Sequence, residues 1–194
     1  MKRIGIFGGS FNPVHRGHLA LASYACSELN LDKVYFVPAY RNPLCTKDEL
    51  LPGAFRSSLI KKSIRAYPKF SVSDLELKRG KISYTVDTLR AFKKRFGRNT
   101  QLYFLAGADT PRHFSRWKSP REVLKLCRFV VLSRSGSKLK TGDGRFLWLP
   151  MPPIDVSSSG IRRKLEQGKK VGGFLPKEIE KEVQRRQRSK VKRK

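Results

Sequence analysis

His15 and His18 close the stretch Ile4-Gly5-Ile6-Phe7-Gly8-Gly9-Ser10-Phe11-Asn12-Pro13-Val14-His15-Arg16-Gly17-His18. At the mouth of a helix, residues three apart project from the same side. Imidazoles placed there, as imidazolium or as N–H donors, can stabilise charge that builds on a phosphoryl group in a transition state. Gly8, Gly9, Ser10 and Phe11 precede them on a turn whose free backbone N–H groups, with the helix N-terminus, can hold phosphate oxygens without side-chain charge. A Gly-Gly-Ser turn by itself is common, and two histidines at this spacing also occur as surface residues or metal ligands. The full order F-N-P-x-H-x-G-H leaves little freedom and points to a reaction centre.

A second chemical stretch lies near the other end, Ile154-Asp155-Val156-Ser157-Ser158-Ser159-Gly160-Ile161-Arg162-Arg163. Its serine cluster, followed by Ile161 and Leu165 at helical spacing, marks a helix N-terminus with Arg162 one turn in. Ser158, Ser159 and Arg162 would then form a second phosphate pocket, suited to the far end of a triphosphate. Taken alone, the stretch reads more readily as a helix cap; beside the first stretch the order reverses. Arg134 ends a β-type run and is a further phosphate ligand candidate.

The elements that must carry these groups follow from periodicity. β-branched and aromatic runs at 4–7, 33–38, 70–73, 101–106, 129–132 and 146–149 predict strands. Helical stripes begin at Leu19, at Phe55 (with Leu59, Ile60 and Ile64) and at Val86 (with Leu89, Phe92 and Phe96). Ser119-Pro120-Arg121-Glu122 reads as a capping box, and Lys177 opens a charged helix. Strand, helix, strand within the first forty residues implies a right-handed crossover and a parallel sheet. The fold class is therefore α/β, a Rossmann-like, doubly wound, mainly parallel sheet in a single domain. Ligands of such sheets sit outside the carboxyl ends of the strands, which puts Asp109 at the same edge as the histidines. Thr85 falls at a helix start, where a plain cap competes with a binding role. Trp117 is either core or an aromatic face able to stack on a cationic ring. Residues 39–53 lose periodicity, and 135–144 are a flexible Gly, Ser and Lys loop.

Composition bounds the rest. The chain has 194 residues, 39% hydrophobic, with 12 Phe, enough for one sizeable core. Cys26, Cys45 and Cys127 are odd in number and widely spaced, so they suit buried thiols in a reducing compartment and neither a disulfide framework nor a C-x-x-C metal site. With no apolar leader and no run of membrane-spanning length, the expected location is cytoplasmic. The formal charge is +28, and seven of the last ten residues are basic. Such a field concentrates polyanions and speeds their arrival, without choosing among ATP, nucleic acid and anionic lipid. The division expected is a domain at 1–183 and a basic, disordered tail at 184–194, solvated, with a nucleic-acid contact as its alternative.

The two chemical stretches resemble the G-x-F-[ND]-P-x-[HT]-x-G-H and I-S-S-[ST]-x-[IVL]-R motifs of a nucleotidyltransferase superfamily, with Val156 a mild departure for Ile. From about Lys2 to about Val183 the chain is similar to the bacterial nicotinate-nucleotide adenylyltransferases, whose S-Y-T-x-D-T-L string stands here at 83–89. The resemblance implies adenylyl transfer from ATP to nicotinate mononucleotide, giving deamido-NAD and pyrophosphate. Magnesium would be carried on the ATP phosphates, with no dedicated protein ligands. It implies His18 at the α-phosphoryl oxygens, His15 with Ser10 at the adjoining bridge and β-phosphate, and Ser158, Ser159 and Arg162 at the β and γ groups. Tyr84, Thr85, Asp109 and Trp117 would bind the nicotinate nucleotide. Where the family commonly has Pro-His-Lys this chain has Ala39-Tyr40-Arg41, so Arg41 or Lys47 is left to supply the missing cation. Phosphopantetheine adenylyltransferase, more often Thr at the position of His15, and a nicotinamide-mononucleotide enzyme are rivals within the class. A nucleic-acid-binding protein on a nucleotide fold is the rival outside it. The oligomeric state stays open, a homo-oligomer included.

Overall fold

Ile4 and Ile6 point to one side of the first strand, β1 (Lys2–Gly9), and Gly5 and Phe7 to the other, so the strand is buried on both faces. A computed structural model, describing residues 1–43, 50–134, 144–152 and 154–191, continues with β2 (Lys33–Pro38), β3 (Phe70–Val72), β4 (Thr100–Gly107), β5 (Arg128–Arg134) and β6 (Leu147–Met151). They form one sheet ordered β3-β2-β1-β4-β5-β6 in which every pairing is parallel. The chain winds outward from β1 to β3, then returns to lay β4 on the other side of β1. That reversal opens a crevice at the carboxyl ends of β1 and β4, the place where open parallel sheets bind ligands.

Two apolar layers cover the sheet. Helices α1 (Arg16–Glu28), α2 (Gly53–Ser63), α6 (Ser158–Glu166) and α7 (Lys177–Val191) pack with Phe7, Val34, Phe36, Leu105 and Leu132. Helix α4 (Thr85–Phe96), the 3₁₀ segment Thr110–Arg116 and α5 (Pro120–Leu126) pack with Ile4, Ile6, Leu102, Phe104 and Val131. The parallel sheet is thus closed to water on both sides, as its continuous apolar strands require. At Gly5 a Cβ would lie 2.8 Å from Leu31 Cδ1, so the first crossover can approach β1 only where a side chain is missing.

Several local expectations change. A short helix, α3 (Leu75–Arg79), occupies charged sequence in which no stripe announces it, and it ends at Gly80 with φ 64°. Ser119 adopts φ 50° and its hydroxyl makes no capping bond; its carbonyl accepts the Glu122 and Val123 N–H groups instead. Glu122, freed from a capping box, takes Arg90 in two bonds of 2.7 and 2.6 Å. The segment expected to be disordered from 184 is helical as far as Val191. Acidic Glu178 and Glu180 in its first turn complement the helix dipole there. Cys45, Lys47 and most of the 135–144 loop lie outside the described residues. Cys26 and Cys127 are buried free thiols, and burial pushes the Cys127 thiol up to about 12.

Arg56, at the start of α2, is 1% exposed and ties three chain segments together. Its Nε donates to Leu51 O at 2.8 Å, Nη1 to Ser10 O at 2.6 Å and Nη2 to Ala39 O at 2.7 Å. It thereby fixes the end of the Gly-Gly-Ser turn against the end of β2. Arg56→Ala leaves three inward carbonyls without a donor and is expected to lower stability by about 3 kcal/mol. Arg56→Lys, which cannot span all three, should recover only part of that loss. Urea unfolding at constant m-value measures both, and a loss below about 0.5 kcal/mol for the alanine variant would contradict the bracing role.

Candidate active site

The Gly-Gly-Ser turn leaves β1 and folds back so that Phe11, at φ 46°, drops its ring into the core. The ring meets Phe7 edge-on at 5.4 Å, and His18 rests against it at 5.0 Å. A left-handed conformation at a bulky residue costs about 1–2 kcal/mol, and here burial of the ring compensates. After the cis Asn12–Pro13 peptide, His15 caps α1 in an extended conformation and His18 follows one turn in. The two imidazoles stack with centroids 3.7 Å apart and planes at 28°.

This arrangement selects among the protonation forms open to the sequence. The His15 N–H donates to His18 Nδ1 at 3.2 Å, so Nδ1 carries the lone pair and the proton of neutral His18 resides on Nε2. Burial, together with the neighbouring His15 ring, holds His18 well below the ordinary histidine value. Burial alone brings His15 down to about 4. Neither ring is an imidazolium at neutral pH, and His18 can act as an Nε2–H donor.

The late serine-arginine stretch comes to the same place. Ser157 caps α6, its hydroxyl accepting from the Gly160 N–H at 3.1 Å. Ser158 donates its hydroxyl proton to Pro13 O at 2.9 Å, and Arg162 Nη1 donates to Asn12 O at 2.9 Å. Val156 packs so closely on α1 that a Cβ at Gly17 would lie 2.7 Å from Val156 Cγ1 and 3.1 Å from His15 Nδ1. The N-termini of α1 and α6 therefore open side by side.

On the other side of Gly8 and Gly9 a cavity of about 410 Å³ occupies the β1–β4 crevice. Its walls include Ala39 from the end of β2, Tyr84 and Thr85 from the start of α4, and Asp109 and Trp117 beyond β4. Trp117 stands edge-on to Phe104 at 5.7 Å, which fixes its plane while leaving it partly exposed. Lys118 lies over the Tyr84 ring at 4.6 Å and within 3.4 Å of Asp87.

Most of the residues expected at a site are thus brought to one sheet edge, in two halves that share Gly8 and Gly9. One half holds His15, His18, Ser159 and Arg162; the other holds Tyr84, Thr85, Asp109 and Trp117. One expectation changes in kind: the Ser158 proton is engaged at Pro13 O rather than directed at an anion. The Phe11 ring is core, which leaves its main chain for phosphate. Arg134 pairs through its backbone with Met151 at the end of β5, and its side chain lies outside the described residues. Arg41 is exposed and does not line this cavity; its carbonyl accepts the Ser83 N–H. His113, Arg116 and Glu76 also line the cavity. Glu76 sits in the run of charges Asp74 to Arg79, where nothing in the pattern separates a buried carboxylate from a solvated one. No group of three or more His, Cys, Asp or Glu that could hold a metal ion occurs among the described residues. No described helix is long and apolar enough to cross a membrane.

The buried histidines carry a pH signature. With His15 near 4 in the folded chain and 6.5 in the unfolded one, the unfolded state binds an extra proton between those values. Stability should therefore fall as pH drops from 6.5 toward 4, by about 3 kcal/mol for this residue, with His18 adding in the same direction. Urea midpoints measured across that range should show a flatter profile in His15→Gln; parallel profiles would mean that His15 is not buried in its neutral form.

The family model described as cytidylyltransferase-like matches residues 6–164. A curated probable nicotinate-nucleotide adenylyltransferase from Clostridium novyi (strain NT) is 38% identical over 187 residues, covering 91% of this chain and 93% of that one. Another from Thermoanaerobacter sp. (strain X514) is 36% identical over 194 residues, covering 94% and 92%. Among solved structures, Plasmodium falciparum nicotinic acid mononucleotide adenylyltransferase complexed with NaAD superposes with a TM-score of 0.76 over 98% of this chain and 96% of that one, at 18% identity, a likeness of fold. Matched across most of its length by the family model and by both curated relatives, this chain belongs to the cytidylyltransferase-like family.

Proposed function

We propose that this protein transfers the adenylyl group of ATP to nicotinate mononucleotide, forming deamido-NAD and pyrophosphate. The observation that carries the reading is the shared border of the two halves of the site. Gly8 and Gly9 line an aromatic-walled cavity, and the turn that follows them sets Phe11 against His18 of the paired imidazoles and bonds Asn12 and Pro13 to the first turns of α6. The names of the two curated relatives support the same substrate pair.

In the reaction a phosphate oxygen of nicotinate mononucleotide attacks the α-phosphorus of ATP, a new O–P bond forms, and the bond from that phosphorus to the bridging oxygen of the β-phosphate breaks. The attacking group is already an anion, so no protein nucleophile or base is required; positioning and charge stabilisation do the catalysis. His18 donates from Nε2 to the α-phosphoryl oxygens. His15 and Ser10, with the main chain of Gly8, Gly9 and Phe11, serve the bridge and the β-phosphate. The Ser159 hydroxyl, the N–H groups opening α6 and the guanidinium of Arg162 hold the β and γ groups. Ser158 fixes that helix to the first motif, and Arg134 is assigned a phosphate contact. Tyr84, Thr85, Asp109 and Trp117 receive the nicotinate nucleotide, with Trp117 stacked on the pyridinium.

The donor set at this edge is neutral imidazoles, hydroxyls, the Arg162 guanidinium and two carboxylates that do not pair, Asp109 and a Glu76 already taken by Thr88, which suits a magnesium ion held by triphosphate oxygens and water rather than by the protein. That ion would neutralise charge on the leaving pyrophosphate.

The test mixes ATP, magnesium and either nicotinate or nicotinamide mononucleotide and follows pyrophosphate. Release is expected with the acid. Binding of RNA or DNA at physiological salt without turnover would favour the nucleic-acid rival instead. His18→Ala should lower turnover at least ~100-fold through loss of a transition-state donor. Near-normal turnover in that variant would remove His18 from the reaction.

A further inference from the structure

Among the described residues of the cavity wall, Glu76 is the one carboxylate closed off from water, at 6% exposure. Its Oε1 accepts the Thr88 hydroxyl at 2.6 Å, and the Ser83 hydroxyl also hydrogen-bonds the carboxylate. The oxygen of that same Ser83 hydroxyl accepts the Tyr40 N–H at 2.9 Å, while the Ser83 N–H donates to Arg41 O at 2.9 Å. The charges that face it are Arg56 from α2 and Arg79 from its own helix, and burial raises its carboxyl above the ordinary range.

A buried carboxylate is costly, and two hydroxyl donors with cations nearby only offset that cost. The arrangement is specific in one respect. Ser83 immediately precedes Tyr84 and Thr85 in the chain, and Thr88, three residues after Thr85, is itself 1% exposed. Both donors to Glu76 therefore belong to the short segment that forms the pyridine side of the cavity. The Ser83 link to Tyr40 then joins that segment to the loop that follows β2, whose Ala39 and Asn42 line the same cavity.

We propose that Glu76 is a positioning residue for the pyridine nucleotide: by clamping Ser83 and Thr88 on either side of Tyr84 and Thr85, and by tying them through Ser83 to Tyr40, it shapes that half of the cavity before the nucleotide enters. The inference rests on the assignment of this half to nicotinate mononucleotide. It places the effect of Glu76 on the nucleotide rather than on ATP, because the side chains assigned to the triphosphate stand on α1, on α6 and, for Ser10, on the turn after Gly9, and not on the 83–88 segment that Glu76 clamps. A clamp of this kind acts by sparing the nucleotide the ordering of its own binding wall.

The experiment measures KM for each substrate in the full chain. Glu76→Gln keeps the shape but replaces an acceptor oxygen with an N–H₂ group, so one hydroxyl loses its partner. KM for nicotinate mononucleotide is expected to rise about 10-fold, in line with loss of one hydrogen bond to a charged group. KM for ATP should stay within about 2-fold of wild type. Ser83→Ala should raise the same KM, and the double variant should fall short of the product of the two single effects, because both remove one interaction. An equal rise in both KM values, a loss confined to kcat, or no change would overturn the positioning role. If Glu76→Gln fails to fold, Ser83→Ala and Thr88→Val carry the same comparison. A wild-type protein that releases no pyrophosphate with nicotinate mononucleotide would instead defeat the functional reading, and the inference with it.

Discussion

Two hydrogen bonds, from Ser158 to the carbonyl of Pro13 and from Arg162 to the carbonyl of Asn12, join segments that lie at opposite ends of the chain. The contact between Gly17 and Val156 closes the same joint by shape, because no side chain fits between them. Without this joint, α1 and α6 would each offer a separate weak anion site, as any helix N-terminus does. Side by side they can grip one extended polyanion along its length. Arg56 performs the corresponding task on the other flank, fixing the Gly-Gly-Ser turn to the end of β2.

The electrostatics divide between surface and site. The net charge of +28 raises the local concentration of anions and their arrival rate in a salt-dependent way. The residues nearest the proposed chemistry are different in kind: His15 is buried, His18 is half-buried against it, and the stacked pair is neutral. A neutral imidazole of fixed tautomer offers a directed N–H without the cost of burying a cation. It becomes most effective when negative charge grows in front of it, which is the differential interaction that lowers a barrier.

The crevice itself follows from winding order. Because β4 lies beside β1 on the side opposite β2, the loops after these neighbouring strands diverge and leave a hollow at their carboxyl ends. Gly8 and Gly9 end β1 in the wall of that hollow, and the turn that follows carries Phe11 against His18 and Pro13 against α6. Glu76 and its hydroxyl partners brace the wall of that hollow from behind.

How much could be read without coordinates depends on the range of the interaction. Strand and helix positions, the α/β class and the identity of the two chemical stretches were legible because they rest on local order: period-2 and period-3.6 spacing, Gly and Pro at turns, His15 and His18 within one helical turn. Asp109 was legible as a residue just beyond the carboxyl end of a strand, and Trp117 only as a choice between core and an open aromatic face. The role of Arg56, the burial of Glu76, the loss of the Ser158 proton to Pro13 and the tautomer of His18 were not, because each depends on a partner distant in the chain or on exclusion of water. Residue types and spacing therefore determined which groups could meet a phosphate. Only tertiary packing decided which of them keep a free proton to offer it, since a hydrogen bond already made to a distant carbonyl is invisible in a linear pattern.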